Sequence, residues 1–377
     1  MNVIEKIALA VFIVIVCCLI AVGVIISYSA SAYDSYLSHN NDMYYLKSQI
    51  YWLIISVVTA VIVGLCPLKL IEKISLFALI MSIIILIMVY LPGLGDSAKG
   101  ARRWLSIPLG IKTFRFQPSE FAKIGILMFN AWWLSRYKKH YKEFFMGSFF
   151  PIVIAGIPIA LIAFQPDFGI PAIILTTLLA VIFINGAKIV NFGIMLLMGI
   201  GFSTFLIIGK TYRLGRLHDF FFFEPSGQIL ESLIAISSGG MYGLGIGNSI
   251  AKLRYLPEAH TDFIFAIFAE EFGFCGTFSL LLLYFILMLA MFVLLKNVTN
   301  LYGKLLGSSI MILFFIQTII NIGVVSQLLP TKGFTLPLIS CGGSSLLSWF
   351  ILFGLFYNIT CREKRNKNFK KQYSGVR

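Results

Sequence analysis

Ten apolar runs, each long enough to cross a bilayer, follow one another along this chain. They lie at 7–27, 50–66, 74–91, 117–135, 149–165, 170–186, 190–208, 263–295, 304–327 and 344–360. A membrane core needs about 20 apolar residues per helix. Hydrophobic residues make up 59% of the chain and charged residues only 12%, against roughly half and a quarter in a soluble domain. The pattern predicts an all-α polytopic membrane protein with ten transmembrane helices. The first run is too long for a signal peptide and lacks a small-residue cleavage site after it, so it reads as a span.

Charge sets the orientation. The basic residues Lys6, Lys69, Lys73, Arg136, Lys138, Lys139 and Lys142 fall beside spans or in short loops, and the tail 361–377 is basic throughout. The positive-inside rule puts all of them on the cytoplasmic side. An even number of spans satisfies that rule, so 263–295 is expected to be one long helix rather than two. Both termini are then cytoplasmic. The net charge of +14 follows from topology and does not call for nucleic acid. The six cysteines are scattered without metal-ligand spacing, which excludes a zinc or disulfide framework.

Three segments then face outward: 92–116, 328–343 and a large loop, 210–262, between spans seven and eight. The first carries Lys99, Arg102, Arg103, Lys112 and Arg115, and the large loop carries Lys210, Arg213, Arg216, Lys252 and Arg254. Cations on the outer face run against the topology bias and point to an anionic ligand. Within the large loop, Ile229, Leu233 and Ile236 recur at helical spacing before Gly239 and Gly240, which predicts an amphipathic interfacial helix. The glycines of 239–247 lack a preceding strand, so they predict tight turns rather than a nucleotide loop. Residues 330–345, rich in Pro and Gly, read as a re-entrant or interfacial loop, acceptable only where it is shielded by protein or lines a cavity. No repeated pair of broken helices suggests a secondary transporter.

Acids are costly in hydrocarbon and need a partner or a task. Asp262 stands where the polar loop meets span eight, after His260 and Thr261. It serves there either as a helix cap or as a general base toward a hydroxyl at the membrane surface. Glu120 and Lys123 form an i, i+3 pair. That pair neutralises two buried charges, or it leaves Lys123 free to present its ammonium to phosphate. Glu270 and Glu271 point to different sides of their helix, and one is expected to pair with a basic group.

Several ordered motifs resemble the SEDS family (shape, elongation, division and sporulation). They are Gly100-Ala101-Arg102-Arg103-Trp104, Gln117-Pro118-Ser119-Glu120, Tyr255 through Ala266 with Pro257-Glu258-Ala259-His260-Thr261-Asp262 at its centre, and Lys332 through Ser345. Ala259 and the Thr331-Lys332 pair favour the cell-division branch over the elongation branch. Cys341 stands where the family usually has Tyr and reads as a tolerated packing change.

The resemblance implies a SEDS-type fold and a peptidoglycan glycosyltransferase that polymerises lipid II into glycan strands for septal wall synthesis. It implies Asp262 as the catalytic residue. Arg102, Arg103, Lys112, Arg115, Lys123 and Lys332 are then candidates for the lipid-linked diphosphate, with Glu120, His260, Glu270 and Glu271 supporting. No obligatory cofactor is expected; a divalent cation, magnesium or manganese, would assist the leaving group. The implied partners are a class B penicillin-binding protein and other divisome proteins in the bacterial inner membrane, at the septum. A lipid II flippase, an elongation-type polymerase and a non-catalytic activator of the transpeptidase are the competing expectations.

Overall fold

The computed structural model describes residues 2–91, 95–98, 101–109, 112–165, 167, 169–208, 227–253, 255–330 and 332–362. Lys99, Lys210, Arg213, Arg216, Arg254 and the tail from 363 onward lie outside the described residues.

Ten helices occupy the ten apolar runs. They are α1 (Val3–His39), α2 (Tyr44–Leu65), α4 (Ser75–Met88), α5 (Pro118–Arg136), α6 (Phe150–Phe164), α7 (Gly169–Ile184), α8 (Ile189–Ile208), α10 (Ile264–Lys296), α11 (Leu301–Val325) and α12 (Gly343–Tyr357). Two further helices are α3 (Leu68–Lys73) and α9 (Gln228–Ser238). Among the described residues, six helical segments are long and apolar enough to cross a membrane, and α4 and α7 are shorter apolar helices. α5 is not in that set because polar residues, among them Glu120, Lys123 and Asn130, make it less apolar. It is instead enclosed by protein, with nearly every residue from Pro118 to Ala131 buried. α4, α6, α11 and α12 pack around it. Close crossings use small residues, as expected where apolar lipid gives helices little reason to associate. Gly354 of α12 faces Ala60 O, the position of an added Cβ lying 2.6 Å from it, and Gly125 of α5 faces Ala78 O at the same distance.

The bundle has two distinct ends. At one, Glu5 accepts from Asn297 (2.6 Å), Ser75 meets Tyr302 (2.9 Å) and Asn358 reaches Gly64 O (3.0 Å). Lys69, Lys73, Arg136, Lys138 and Lys296 sit at this end. The starts of α5, α10 and α12 lie at the other, together with Asp262.

Two expectations are corrected. The fold is mostly helical as expected, but the segment 92–116, expected as an outer loop, carries an antiparallel sheet of β1 (Gly95–Ala98), β2 (Ala101–Leu109) and β3 (Lys112–Phe116), in the order β1-β2-β3. Leu105 pairs with both Gly95 and Phe116, and a bulge falls between Asp96 and Ser97.

The second correction concerns α10, which is broken. Gly273 has φ 66° and ψ −166° inside it, a conformation open to glycine and costly for other residues. The first part, Ile264–Phe272, is almost entirely buried. The remainder spans about 34 Å at 1.5 Å per residue, enough to cross unaided. The glycine-rich segment fills the break. Leu244 N and Gly245 N donate to Glu270 O (2.9 Å) and Glu271 O (3.0 Å), while Phe274 N and Cys275 N donate to Gly240 O (2.9 Å) and Met241 O (3.1 Å). The exchange satisfies backbone groups that the interruption would otherwise leave orphaned. The tight turns expected of 239–247 are present, with Gly240, Gly243, Gly245 and Gly247 at positive φ, and they dock this segment backbone to backbone against the break.

Candidate functional site

Asp262 is held by its own loop. Glu258 adopts a left-handed conformation (φ 59°), which turns its carbonyl toward the next backbone amides. That oxygen accepts from Thr261 N (3.1 Å) and Asp262 N (3.1 Å). Thr261 Oγ1 donates to Glu258 Oε2 (2.8 Å). The cap position of α10 falls on Phe263, not on Asp262, and carries no side-chain cap bond.

The segment 332–342 then closes on this loop. Cys341 N donates to His260 O (3.0 Å), Ser340 Oγ to Thr261 O (2.6 Å) and Asn321 Nδ2 to Asp262 O (3.0 Å). The Asn321 amide also donates to Phe334 O. The His260 ring stacks on Tyr45, with centroids 5.3 Å apart. Irregular backbone here is shielded, as the sequence required. Ser27 Oγ donates to Ile339 O (3.0 Å), Tyr284 OH to Pro337 O (2.6 Å) and Gln317 Nε2 to Thr335 O (2.9 Å). Burial pushes the Cys341 thiol up to about 11, so it is no nucleophile near neutral pH. Gly333 lies directly against the Asp262 carboxylate: an added Cβ would stand 3.1 Å from Cγ and closer still to Oδ2.

Two cations approach the same region. Arg103, on the inward-facing side of β2 with buried Leu105, donates through Nε to Gln165 O (3.1 Å). Gln165 in turn donates to Leu86 O (3.2 Å) at the end of α4. Lys332 precedes Gly333, and its Cε comes within 3.3 Å of where a Cβ on Gly169 would stand. Between those anchors, in the turn from α6 to α7, sits Asp167. It is 7% exposed and accepts from Gly169 N (3.2 Å). Burial raises its carboxyl above the usual range, while the charges of Arg103 and Lys332 and the amides of Ile170 and Gly169 pull it back. Asp262, Lys332, Arg103 and Asp167 thus form one chain of neighbours. Sequence reasoning missed Asp167 because it lay in the gap between two runs. The signal was available, in a polar Gln165-Pro166-Asp167 break with an acid and no nearby basic residue in sequence.

The other residues singled out in the sequence are placed elsewhere. Arg102 is exposed and projects opposite to Arg103. Arg115 is 61% exposed and paired with Asp96, which also accepts from Ser106 (3.1 Å). Lys112 opens β3 opposite Leu109; its side chain lies outside the described residues. Lys123 differs from the expectation that it presents its ammonium to phosphate. It is 2% exposed, 2.6 Å from Glu120 Oε2 and 4.7 Å above the Trp349 ring. Ser348 completes the pair with 2.7 Å to the same carboxylate oxygen. Lys252, counted among the outer cations, is also buried. Its Nζ donates to Gly247 O (2.6 Å), Ser29 Oγ (3.0 Å) and Glu271 Oε1 (3.1 Å). Glu270 accepts from Ile250 N (3.0 Å), Ala251 N (3.3 Å) and the Ser249 hydroxyl. Glu270 and Glu271 therefore clamp the loop that leads to Asp262 onto the break in α10, and one of them pairs with a base as expected.

These features define a polytopic, mostly helical membrane protein with a carboxylate and two cations gathered at one end of its bundle. A sequence model of the FtsW/RodA/SpoVE cell cycle proteins matches residues 9–365, and the chain belongs to that family. It is 36% identical over 350 residues to a probable peptidoglycan glycosyltransferase FtsW of Coxiella burnetii, covering 90% of this chain and 93% of that one. An Escherichia coli protein of the same name is 36% identical over 337 residues, covering 87% and 80%. Among solved structures, a chain from a peptidoglycan synthase complex that coordinates polymerization and crosslinking matches at TM-score 0.72 and 24% identity, over 93% of this chain and 96% of that one. The rod shape determining protein RodA of Thermus thermophilus matches at TM-score 0.66 and 25% identity, over 93% and 95%.

Proposed function

We propose that this chain is a peptidoglycan glycosyltransferase that polymerises lipid II, with Asp262 as general base and Arg103 and Lys332 as ligands of the departing diphosphate. The observation that carries the reading is the pairing of Gly333 with Asp262. The loop that presents Lys332 is the one that touches the carboxylate, so the leaving-group cation is carried next to the base by the segment packed against it.

The chemistry follows from that spacing. Asp262 removes the proton from the acceptor's sugar 4-hydroxyl. The oxygen attacks the anomeric carbon of the growing glycan, the bond to the lipid diphosphate breaks, and the configuration inverts from α to β. Negative charge grows on the diphosphate, and fixed cations oriented beforehand lower that barrier. Arginine offers a planar fork that matches phosphate oxygens. Among the described residues no three metal-ligating side chains converge, so magnesium or manganese would be carried chiefly by diphosphate oxygens. Its contribution would be to neutralise leaving-group charge.

Relatives named FtsW support the division branch and a septal site of action in the bacterial inner membrane. The concentration of basic residues at the end opposite Asp262 supports cytoplasmic termini and an outward-facing site. The likeness to a complex that joins polymerization to crosslinking supports a class B penicillin-binding protein as partner, within a wider set of divisome proteins. A flippase would place its decisive charges near the midplane. The buried charges here are instead matched within the protein, Lys123 with Glu120 and Lys252 with Glu271.

The test is polymerisation of labelled lipid II by the purified chain with its transpeptidase, comparing wild type with Asp262→Ala and Arg103→Ala. Glycan ladders are expected from wild type, none from Asp262→Ala and few from Arg103→Ala, at equal expression. Polymer of normal yield from Asp262→Ala would return the chain to the flippase or activator readings.

A further inference from the structure

We infer that the end of the bundle opposite Asp262 binds a zwitterionic phospholipid headgroup, a phosphate with an ammonium beside it as in phosphatidylethanolamine. Arg136 and Lys138 hold the phosphate and Glu72 the ammonium.

The site is a cavity of about 260 Å³ where α3, the end of α5 and the start of α11 meet, lined by those three charged residues with Trp132, Ser135 and Asn300. Among the described residues, no ion pair engages Glu72, Arg136 or Lys138. An acid and two cations thus share one small space without neutralising each other. A ligand of one sign meets a like charge there: an anion meets Glu72, and a cation meets Arg136 and Lys138. A ligand that carries both signs satisfies all three, its phosphate oxygens accepting from the cations and its ammonium donating to the acid. The neighbouring polar groups can assist at both ends. Asn300 Oδ1 is committed to Gly303 N (2.8 Å), which leaves its amide nitrogen to donate to phosphate. Ser135 donates to Trp132 O (2.8 Å), which leaves its oxygen to accept from ammonium.

Size and position narrow the ligand further. The cavity falls below the roughly 300–1,000 Å³ of clefts that enclose drug-sized molecules, so it suits a headgroup and not a nucleotide or a peptide. α5 runs toward this end of the bundle, so Trp132 stands one turn deeper than Arg136, whose guanidinium lies 5.7 Å over its ring. A tryptophan with a cation reaching outward past it is the arrangement expected at headgroup depth. Apolar surface continues from there toward the membrane interior. Ile74, Leu76 and Phe77, just after α3, are exposed and offer a bed for acyl chains whose headgroup sits in the cavity. Basic pockets between spans are suited to lipid phosphates, and Glu72 is what adds a preference for an ammonium.

The probe is phosphatidylethanolamine titrated into the purified full chain in detergent, with phosphatidylglycerol, phosphatidylcholine and soluble phosphoethanolamine in parallel. Retained lipid is counted by native mass spectrometry, and thermal unfolding is followed alongside, since a ligand of the folded state raises its unfolding temperature. Phosphatidylethanolamine is expected to be retained and to raise the unfolding temperature, the other two lipids to do so less, and soluble phosphoethanolamine hardly at all. Glu72→Gln should weaken retention of phosphatidylethanolamine roughly fivefold and remove its advantage over phosphatidylglycerol. The same loss is required of Glu72→Ala, so the test does not hang on one variant folding. Arg136→Gln with Lys138→Gln should weaken both lipids by more than that. Equal retention of phosphatidylethanolamine by wild type and the Glu72 variants overturns the inference, as does phosphatidylglycerol matching phosphatidylethanolamine on the wild type. An equal thermal shift from soluble phosphoethanolamine would place the ligand in the aqueous phase and overturn the lipid assignment.

Discussion

Gly333→Ala is the mildest change that should disable this protein. The added methyl would stand 3.1 Å from Asp262 Cγ, where ordinary contact begins at 3.4 Å, and deeper still inside the contact distance of Oδ2. The backbone at 333 is not in the left-handed region, and the residue is exposed, so alanine introduces neither backbone strain nor a core clash. What must give is the end of the Asp262 side chain, by about 1 Å. A displacement of that size at a reacting group costs on the order of 100-fold in rate, close to 2.7 kcal/mol at 1.36 kcal/mol per factor of ten. The assay is polymer yield per unit time from labelled lipid II, run beside thermal unfolding in detergent. The expected result is a turnover loss near 100-fold with an unfolding temperature within a degree or two of wild type. Turnover within threefold of wild type would show that the carboxylate tolerates displacement and is not the base. A collapsed unfolding temperature would show that position 333 matters for the fold instead.

Three further variants test the break in α10. Lys252→Met strands the Glu271 carboxylate, whose side chain is fully buried, and should destabilise by about 3–5 kcal/mol; Lys252→Met with Glu271→Leu should recover most of it, and an unfolding temperature unmoved by the single change would contradict the clamp. Gly273→Ala forces a side chain into a φ of 66° and against the backbone of Met241 and Tyr242 (2.7 Å each), so membrane accumulation should fall sharply; normal accumulation with normal polymerisation would mean the segment 239–247 need not dock there.

The helices were legible because hydrocarbon imposes a length and an apolar composition that survive in any linear reading of the chain. All ten runs contain a helix. The sheet was not read, because charge drew attention to Arg102, Arg103, Lys112 and Arg115 as a basic loop. Yet Thr113-Phe114-Arg115-Phe116 alternates polar with aromatic residues, a strand pattern. That alternation is also what separates inward Arg103 from outward Arg102. Span eight was read as a single helix from charge parity, which constrains how many times the chain crosses but not whether a helix is continuous. Gly273 was one glycine among many until its φ and its contact with Gly243 were known. Lys123 and Lys252 misled for a related reason. A lysine near an outer loop looks available to phosphate, and only tertiary contacts show that Glu120 and Glu271 have claimed them. Asp262, by contrast, was conspicuous, an acid standing where polar loop turns into apolar helix.

The central claim is that Asp262 performs chemistry and does not merely hold the fold or the substrate. Asp262→Asn preserves shape and removes the base, so it should bind lipid II within a few-fold of wild type in a direct binding measurement. In the same preparation its single-turnover rate of glycosidic bond formation should fall by about 10²- to 10⁴-fold. Bond formation at the wild-type rate, or a loss of lipid II binding large enough to account for the missing polymer, would contradict the account.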